Sequence, residues 1–464
     1  GCVDGSRLLM SRLVILGCAI ATVDATETEL ADGYLVMDDG VLVDIGAGDA
    51  PDQPAGTRRI DAAGCLATPG LINTHHHFNQ WITRGLAQDS TLFEWLVELY
   101  PVWAHGKAEL EYAAARGALA SLALSGCTTA MDHNYLFPHG GGDVLAAEIE
   151  AARNIGLRFH PTRGSMDRGV SAGGLPPDTV VEDIDTVLAA TSAAIDRWHD
   201  PSPGSMLRVG VAPCSPFTNT PELMRLSAEL GRARGVRLHT HGAETVDEEA
   251  FCQAEFGCTP VQYLESLGWL GADVWLAHCV HLDDDAIAAV ARTSTGVAHC
   301  PSSNGRLGAG MARAADLVAA GVAVGLGVDG AASNEDGALI TEVRQALLTA
   351  RLRGGPRALT ARQALSMGTI GGARVLGRAD EIGSLEVGKR ADVAVWDLTG
   401  VGHAGIADPV AALVLGPRPP LRLLVVDGAV VVEDAELRTA SESDIAAEVA
   451  RASRELLGRA TQGR

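Results

Sequence analysis

Two histidines separated by one residue follow an apolar stretch early in this sequence. His75 and His77 come directly after the run 66–73, which has the composition of a buried strand. Side chains alternate between the two faces of a strand, so His75 and His77 lie on one side and His76 on the other. Two imidazoles placed in this way can bind one metal ion together. A histidine-rich turn without metal fits the triplet equally well, so further ligands must come from elsewhere in the chain.

Later apolar runs supply those ligands and a base. His241, His278 and Asp329 each lie at the end of such a run, and Glu244 follows His241 in the next loop. The first histidine pair, His241 and Asp329 together offer three imidazoles and one carboxylate, which suit a single Zn²⁺ or Fe²⁺ ion with an open position for water. Such an ion lowers the pKa of water from about 15.7 to about 7. Glu244 is placed to take the proton from that water.

The elements that must position these residues alternate between strands and helices across the middle of the chain. Apolar strands alternate there with Ala- and Leu-rich helical segments such as 109–124, 221–234 and 283–292. Eight repeats of this kind predict a (β/α)8 barrel of the TIM type over 68–380, with the active site at the carboxyl ends of the strands. The eight predicted strand ends are 74–77, 131–134, 159–163, 212–215, 239–241, 276–279, 298–301 and 327–330.

Both ends of the chain are rich in short β-type runs. Segments 10–67 and 381–437 contain such runs separated by Asp-Gly turn signals. We therefore predict an α/β protein in which a small β-sandwich domain is formed by both chain ends, followed by a C-terminal helix over 438–464. Residues 1–9 precede a natural start at Met10 and are interpreted as an upstream extension.

Charge and cysteine content narrow the class of partner. The formal net charge of −22 argues against binding to nucleic acid or to an anionic membrane, and it favours a neutral or cationic small substrate. No apolar stretch is long enough to span a membrane. Nine cysteines occur without a Cys-x-x-Cys pair, so a disulfide framework is not expected and the cytoplasm is the predicted location.

The motifs together resemble those of the amidohydrolase superfamily, in the branch that holds nucleobase deaminases and s-triazine hydrolases. The resemblance implies metal ligands at His75, His77, His241 and Asp329, and one divalent ion per chain, zinc or iron. Dinuclear members carry a carboxylated lysine at the end of strand four, where this chain has Pro-Cys-Ser; its two lysines, at 107 and 389, lie elsewhere, so a mononuclear site is expected. The matching segments are 75–77, 239–245, 275–278, 299–304, 327–334 and 383–392.

Within this branch the sequence is most similar to the 8-oxoguanine deaminases. The resemblance implies hydrolytic deamination of 8-oxoguanine to urate and ammonia. It implies catalytic roles for Glu244 as proton carrier, for His278 beside the nucleophile, and for Asp329 as acceptor and donor of the second proton. The alternatives are deamination of isocytosine or a pterin, an s-triazine chlorohydrolase or aminohydrolase, and a non-catalytic scaffold. Homo-oligomers are common in the superfamily and are compatible with this sequence.

Four residues are candidates for substrate binding. Gln80 can offer its amide to a base edge, Trp103 can stack on a flat heterocycle, Arg84 can meet a carbonyl oxygen, and Cys214 lies at the end of strand four. Packing between elements is the alternative for Trp103, and an inert buried thiol is the alternative for Cys214.

Overall fold

The computed structural model describes residues 12–462, so the interpretation of residues 1–9 as an extension lies outside the described part of the chain. Within these described residues, seventeen strands are arranged in two sheets. No helix among the described residues is long and apolar enough to cross a membrane. The strands, in chain order, are β1 Arg12–Ala21, β2 Glu29–Asp38, β3 Val41–Ala47, β4 Arg58–Asp61, β5 Cys65–Pro69, β6 Leu71–Ile72, β7 Cys127–Asn134, β8 Arg158–Ser165, β9 Gly210–Pro213, β10 Leu238–Gly242, β11 Val274–His278, β12 Gly296–His299, β13 Val324–Leu326, β14 Val393–Asp397, β15 Leu421–Val426, β16 Ala429–Glu433 and β17 Glu436–Leu437.

Helices separate most of the strands between β6 and β13, as the sequence pattern predicted. Side-chain caps begin several of them: Thr220 accepts from the Leu223 amide, and Asp283 accepts from the Ala286 amide at 2.8 Å. The α-helices are α1 Leu92–Trp103, α2 Ala108–Leu124, α3 Val144–Ile155, α4 Ile184–Trp198, α5 Pro221–Ala233, α6 Val246–Phe256, α7 Pro260–Ser266, α8 Asp284–Arg292, α9 Pro301–Arg306, α10 Ala314–Ala319, α11 Leu339–Gly354, α12 Ala361–Ser366, α13 Gly372–Val375, α14 Pro409–Leu415 and α15 Glu442–Gln462.

Strands β6 to β13 form a parallel barrel. They pair in sequence order, and a parallel bridge between Asn73 and Leu326 joins the first strand to the last. The pairing of β10 with β11 sets Gly242 beside His278, which brings two predicted site segments together at the carboxyl ends of the strands. The predicted TIM-type barrel is therefore confirmed.

The second sheet combines strands from both ends of the chain. Strand β5 lies between β1 and β14, so strands from the two ends are hydrogen-bonded neighbours. Apolar side chains of β1, such as Leu13 and Ile15, share one buried cluster with Val393 and Val395 of β14. This separate β unit, made from both chain ends, is the one that the sequence predicted.

Buried ion pairs connect this sheet to the barrel. Arg158 at the start of β8 is fully buried and binds both oxygens of Asp392, at 3.0 Å each, and one oxygen of Asp427 at 3.2 Å. Its remaining nitrogen donates to the carbonyls of Gly204 and Ser205. Every nitrogen of this guanidinium therefore has a partner, which fixes the barrel against the β sheet.

Candidate metal centre and active site

Four buried side chains converge at the carboxyl ends of the barrel strands. The Nε2 atoms of His77 and His241 are 3.2 Å apart, and Asp329 Oδ1 lies 3.3 Å from Nε2 of both His75 and His77. All four residues are at most 8% exposed. The structure thus brings together all four residues that the sequence suggested as ligands.

The protons on these imidazoles are fixed by groups on the far side of each ring. Nδ1 of His77 donates to the carbonyl of His133 at 2.8 Å, and Nδ1 of His241 donates to the carbonyl of Cys214 at 2.5 Å, because a carbonyl can only accept. His239 donates from Nδ1 to the Trp275 carbonyl, so its Nε2 accepts from His75 Nδ1 at 2.8 Å. Each of the three ligand candidates is left with a lone pair on Nε2.

These lone pairs face one another and a carboxylate oxygen, with no proton between them. His75 Nε2 has no hydrogen-bond partner, although it is fully buried. Burial lowers the pKa of His77 and lowers that of His241 to about 3, so the imidazoles stay neutral, which is the form that binds metal. Ligand atoms about 2.0 to 2.1 Å from a tetrahedral Zn²⁺ are about 3.3 Å apart. The donor set and its spacing therefore fit one divalent cation.

His133 stands behind this centre, although nothing in the sequence marked it as a ligand. Its Nε2 donates to the Ala212 carbonyl at 2.9 Å, and its ring stacks on that of His241 with centroids 4.7 Å apart. Its Nδ1 has no hydrogen-bond partner, and one ring nitrogen of His133 lies within 4.8 Å of ring nitrogens of His75, His77 and His241.

Glu244 and His278 lie beside the proposed metal position. His278 Nε2 is 3.6 Å from Glu244 Oε1 and 3.8 Å from Asp329 Oδ2, while its Nδ1 contacts Asn304 Oδ1 at 3.1 Å. Burial raises the pKa of Glu244 well above its ordinary value, and the nearby Asp329 raises it further. Ser303 donates to Asp329 Oδ2 at 2.6 Å. A carboxyl group that holds a proton readily therefore faces an imidazole and a carboxylate, as proton transfer requires.

The backbone around this group of residues is strained. Ala243, His278 and Asp329 all adopt left-handed conformations, with φ of 53°, 74° and 63°. Glu248 on α6 stabilises the first of these turns by accepting the amides of Ala243 at 3.0 Å and Glu244 at 2.8 Å. Such strain is held in place by surrounding contacts and is typical of functional sites.

A cavity opens next to this centre, between an apolar wall and a polar floor. Gln80 and Cys214, both suggested from the sequence, contribute to its lining. Gln80 Oε1 accepts from the Ala332 amide at 3.3 Å, which leaves its amide nitrogen to donate. Burial raises the pKa of Cys214 to about 12, so it is a thiol and not a nucleophile. The apolar wall consists of Leu92, Trp95, Leu96, Tyr100, Tyr135, Phe217 and Leu307.

The structure does not bring the other two substrate-binding candidates, Arg84 and Trp103, into this cavity. Arg84 lies over the Trp81 ring at 4.0 Å and contacts the Glu335 carbonyl, in a groove beside α15. Trp103 donates to Thr83 at 3.1 Å and packs outside the cavity, because it lies at the end of α1, one turn past Tyr100. Two other aromatic residues of α1, Trp95 and Tyr100, line the cavity instead.

Comparison with known proteins agrees with this geometry. The model of the amidohydrolase family matches residues 66–431. An 8-oxoguanine deaminase from Pseudomonas aeruginosa is 46% identical over 424 residues, 91% of this chain and 93% of that protein. An isoxanthopterin deaminase from an unknown prokaryotic organism is 38% identical over 421 residues, 86% and 87% of the two chains. The crystal structure of an atrazine chlorohydrolase from Arthrobacter aurescens TC1 complexed with zinc is 34% identical, with a TM-score of 0.90 over 95% of this chain and all of that one. The chain belongs to the amidohydrolase family.

Proposed function

We propose that this protein is a metal-dependent deaminase that hydrolyses 8-oxoguanine to urate and ammonia. The observation that carries the proposal is the convergence of three imidazole lone pairs and Asp329 directly beside Glu244 and His278. The 46% identity to an 8-oxoguanine deaminase supports the choice of substrate. The aromatic and aliphatic side chains that line one side of the cavity suit an apolar, aromatic heterocycle.

His75, His77, His241 and Asp329 would hold the ion, and we propose zinc, the metal in the related chlorohydrolase crystal. When bound, a divalent ion supplies Lewis acidity that makes water nucleophilic near neutral pH. We also propose a cytoplasmic location, in keeping with the cysteines of the described chain, which are all free.

In this proposal Glu244 and Asp329 transfer protons, and His278 stabilises the adduct. Glu244 takes a proton from the attacking water and delivers it to the ring nitrogen next to the amino-bearing carbon, which makes that carbon electrophilic. His278 stabilises the tetrahedral adduct formed at the carbon. Asp329 accepts the remaining hydroxyl proton and returns it to the departing ammonia. Gln80 is placed to donate its amide to the edge of the base.

Displacement of chloride from an s-triazine is the second candidate, because a chlorohydrolase is among the structural relatives. Chloride leaves without a proton, whereas an amine leaves as ammonia only after protonation. The group of Glu244, His278 and Asp329 can both accept and return protons, and this favours deamination.

The test is turnover of 8-oxoguanine by the purified metal-loaded protein, with urate followed by absorbance, ammonia by a coupled assay and bound metal by mass spectrometry. We expect about one zinc ion per chain and loss of both products after chelation, with recovery on adding zinc. Absence of ammonia release from 8-oxoguanine, isocytosine and pterins by metal-loaded protein would contradict deamination. Release of chloride from a chlorotriazine would then favour the second candidate.

A further inference from the structure

A second cavity lies at the opposite end of the barrel from the metal centre. Its volume is 260 Å³, and it is lined by residues at or near the amino ends of β8 to β11. The polar side chains of this wall include His160, His199, Arg208 and Arg237, and Trp275 adds an apolar surface. No carboxylate belongs to the lining among residues 12–462.

The two imidazoles present N–H donors without protein partners. Nε2 of His160 is 3.3 Å from Arg378 Nη1, and since a guanidinium can only donate, the His160 proton is on Nδ1. Nδ1 of His199 accepts from the Val209 amide at 3.1 Å, so the His199 proton is on Nε2. Neither of these protonated nitrogens has a hydrogen-bond acceptor within the described chain.

The two arginines add positive charge that the protein does not fully use. Arg208 donates from Nη2 to Glu381 and to the Ser202 carbonyl and from Nε to Ser205, which leaves Nη1 free. Arg237 donates only to the carbonyls of Ala272 and Val375 and forms no ion pair with a described residue. Burial lowers the pKa of Arg237 to about 10, so it remains charged at neutral pH. Arg237 is partly buried, and Asp273, whose negative charge raises the Arg237 pKa, pairs with Arg232 instead. A ligand that supplies a negative charge would therefore stabilise this guanidinium.

We propose that this cavity binds a small oxyanion, either inorganic phosphate or a carboxylate. All of the free hydrogen-bonding groups identified in its wall are donors. Arg237 has a positive charge that pairs with no carboxylate of a described residue, whereas Arg208 pairs with Glu381 and offers its free Nη1. Oxyanions offer acceptors to such donors and would neutralise the Arg237 charge. Because the whole chain has a net charge of −22, its overall electrostatic field repels anions. Anion binding in this cavity must therefore come from the local cluster of donors.

Titration calorimetry of the metal-loaded protein with sodium phosphate and, separately, with sodium acetate tests the proposal. The protein should bind at least one of them saturably, and the tighter one identifies the oxyanion class. Arg237→Gln and His199→Ala should each weaken that binding by about ten-fold, the usual loss for a hydrogen bond to a charged group. The control Arg225→Gln removes a charge from the exposed surface of α5, where Arg225 pairs with Glu229, and should change binding by less than about two-fold.

His199→Ala keeps the test decisive if the Arg237→Gln variant does not fold. Absence of saturable binding of both anions by the unaltered protein would overturn the proposal. Retention of full binding in His199→Ala, with an anion found only at the metal ligands in a soaked crystal, would also overturn it.

Discussion

The position of one proton on each imidazole decides what the metal centre can do. Backbone carbonyl oxygens hold the proton on Nδ1 of His77 and of His241. His239 holds the proton on Nδ1 of His75 in the same way. The lone pairs that point inward are therefore consequences of contacts on the outer side of each ring. These outer partners should matter for metal affinity almost as much as the ligands themselves.

Replacing His239 by Phe should weaken metal binding. The substitution removes the acceptor of His75 Nδ1 and keeps a ring that can stack on Trp275. Loss of such an outer partner typically costs about 10-fold to 100-fold in metal affinity. Competition with a chromophoric chelator measures this change, and His139→Gln on the surface is the control. An unchanged zinc affinity in the Phe variant would refute the proton arrangement described for His75.

Replacing Glu244 by Gln should abolish turnover and leave the metal in place. Glu244 is not among the four groups that converge on the ion, and its proposed task is to carry a proton. Loss of a general acid or base typically costs about 10²-fold to 10⁴-fold in rate. Steady-state kinetics with metal analysis of the same sample measure both properties, and Glu249→Gln on the same helix end is the matched control. Near-normal kcat in the metal-loaded Gln variant would contradict the role given to this carboxylate.

The residues of the centre could be predicted from sequence because each one ends an apolar run. A histidine or aspartate at the end of a strand is visible without knowing which strands are neighbours. The partners that orient them were not predicted, since Asn304 and His239 act through contacts that depend on the closed barrel. Sequence does not reveal which aromatic residues of α1 line the cavity, and the structure places Trp95 there and Trp103 outside it.

At the scale of elements, the barrel contains three buried carboxyl groups that form no ion pair with any of residues 12–462. Glu111 of α2, Asp132 of β7 and Glu148 of α3 are all buried. Burial raises the pKa of Glu111 to about 7, and the pKa values of Asp132 and Glu148 are also raised. Asp132 accepts the Phe78 amide at 2.6 Å, so this cluster supports the backbone directly after His77, a proposed metal ligand.

Glu111→Gln should stabilise the protein at alkaline pH. The folded pKa of Glu111, about 7, exceeds the unfolded value of about 4.3. The free energy of unfolding therefore falls as the pH rises from about 4.3 to about 7. A neutral amide avoids the loss, and the free energy of unfolding at pH 8 should exceed that of the unaltered protein by about 1 to 3 kcal/mol, with little difference near pH 4. Urea unfolding at the two pH values measures this. A variant that is less stable at pH 8 would show that Glu111 is ionised and paired in the native protein.

At the scale of the whole molecule, one buried arginine adds to the apolar contacts that join the barrel to the β sheet. Arg158→Met should leave Asp392 and Asp427 without this partner, and breaking such a pair costs about 3 to 5 kcal/mol. Urea unfolding measures the loss. Arg225→Gln, which breaks an exposed pair with Glu229, should cost less than about 1 kcal/mol. Equal effects of the two substitutions would mean that Arg158 does not hold the two parts together.

The two-part architecture could be predicted because β-type runs occur at both ends of the chain and eight strand–helix repeats lie between them. The contact of Arg158 with Asp392 and Asp427 could not be predicted, because these carboxylates lie far from Arg158 in the sequence and nothing local marks them as its partners. The cavity proposed to bind an oxyanion could not be predicted for the same reason. Its histidines and arginines come from separate strands and loops and meet only when the barrel closes.

The pairing of Pro69 in β5 with Val393 in β14 has a consequence for synthesis of the chain. Strands β1 to β5 leave the ribosome long before their partner strand has been translated. One edge of the nascent sheet therefore stays open while the whole barrel sequence emerges, and an open edge invites pairing with other chains. Completion of this β unit is necessarily a late event, so a ribosome that stalls within the barrel sequence releases a fragment with an aggregation-prone edge.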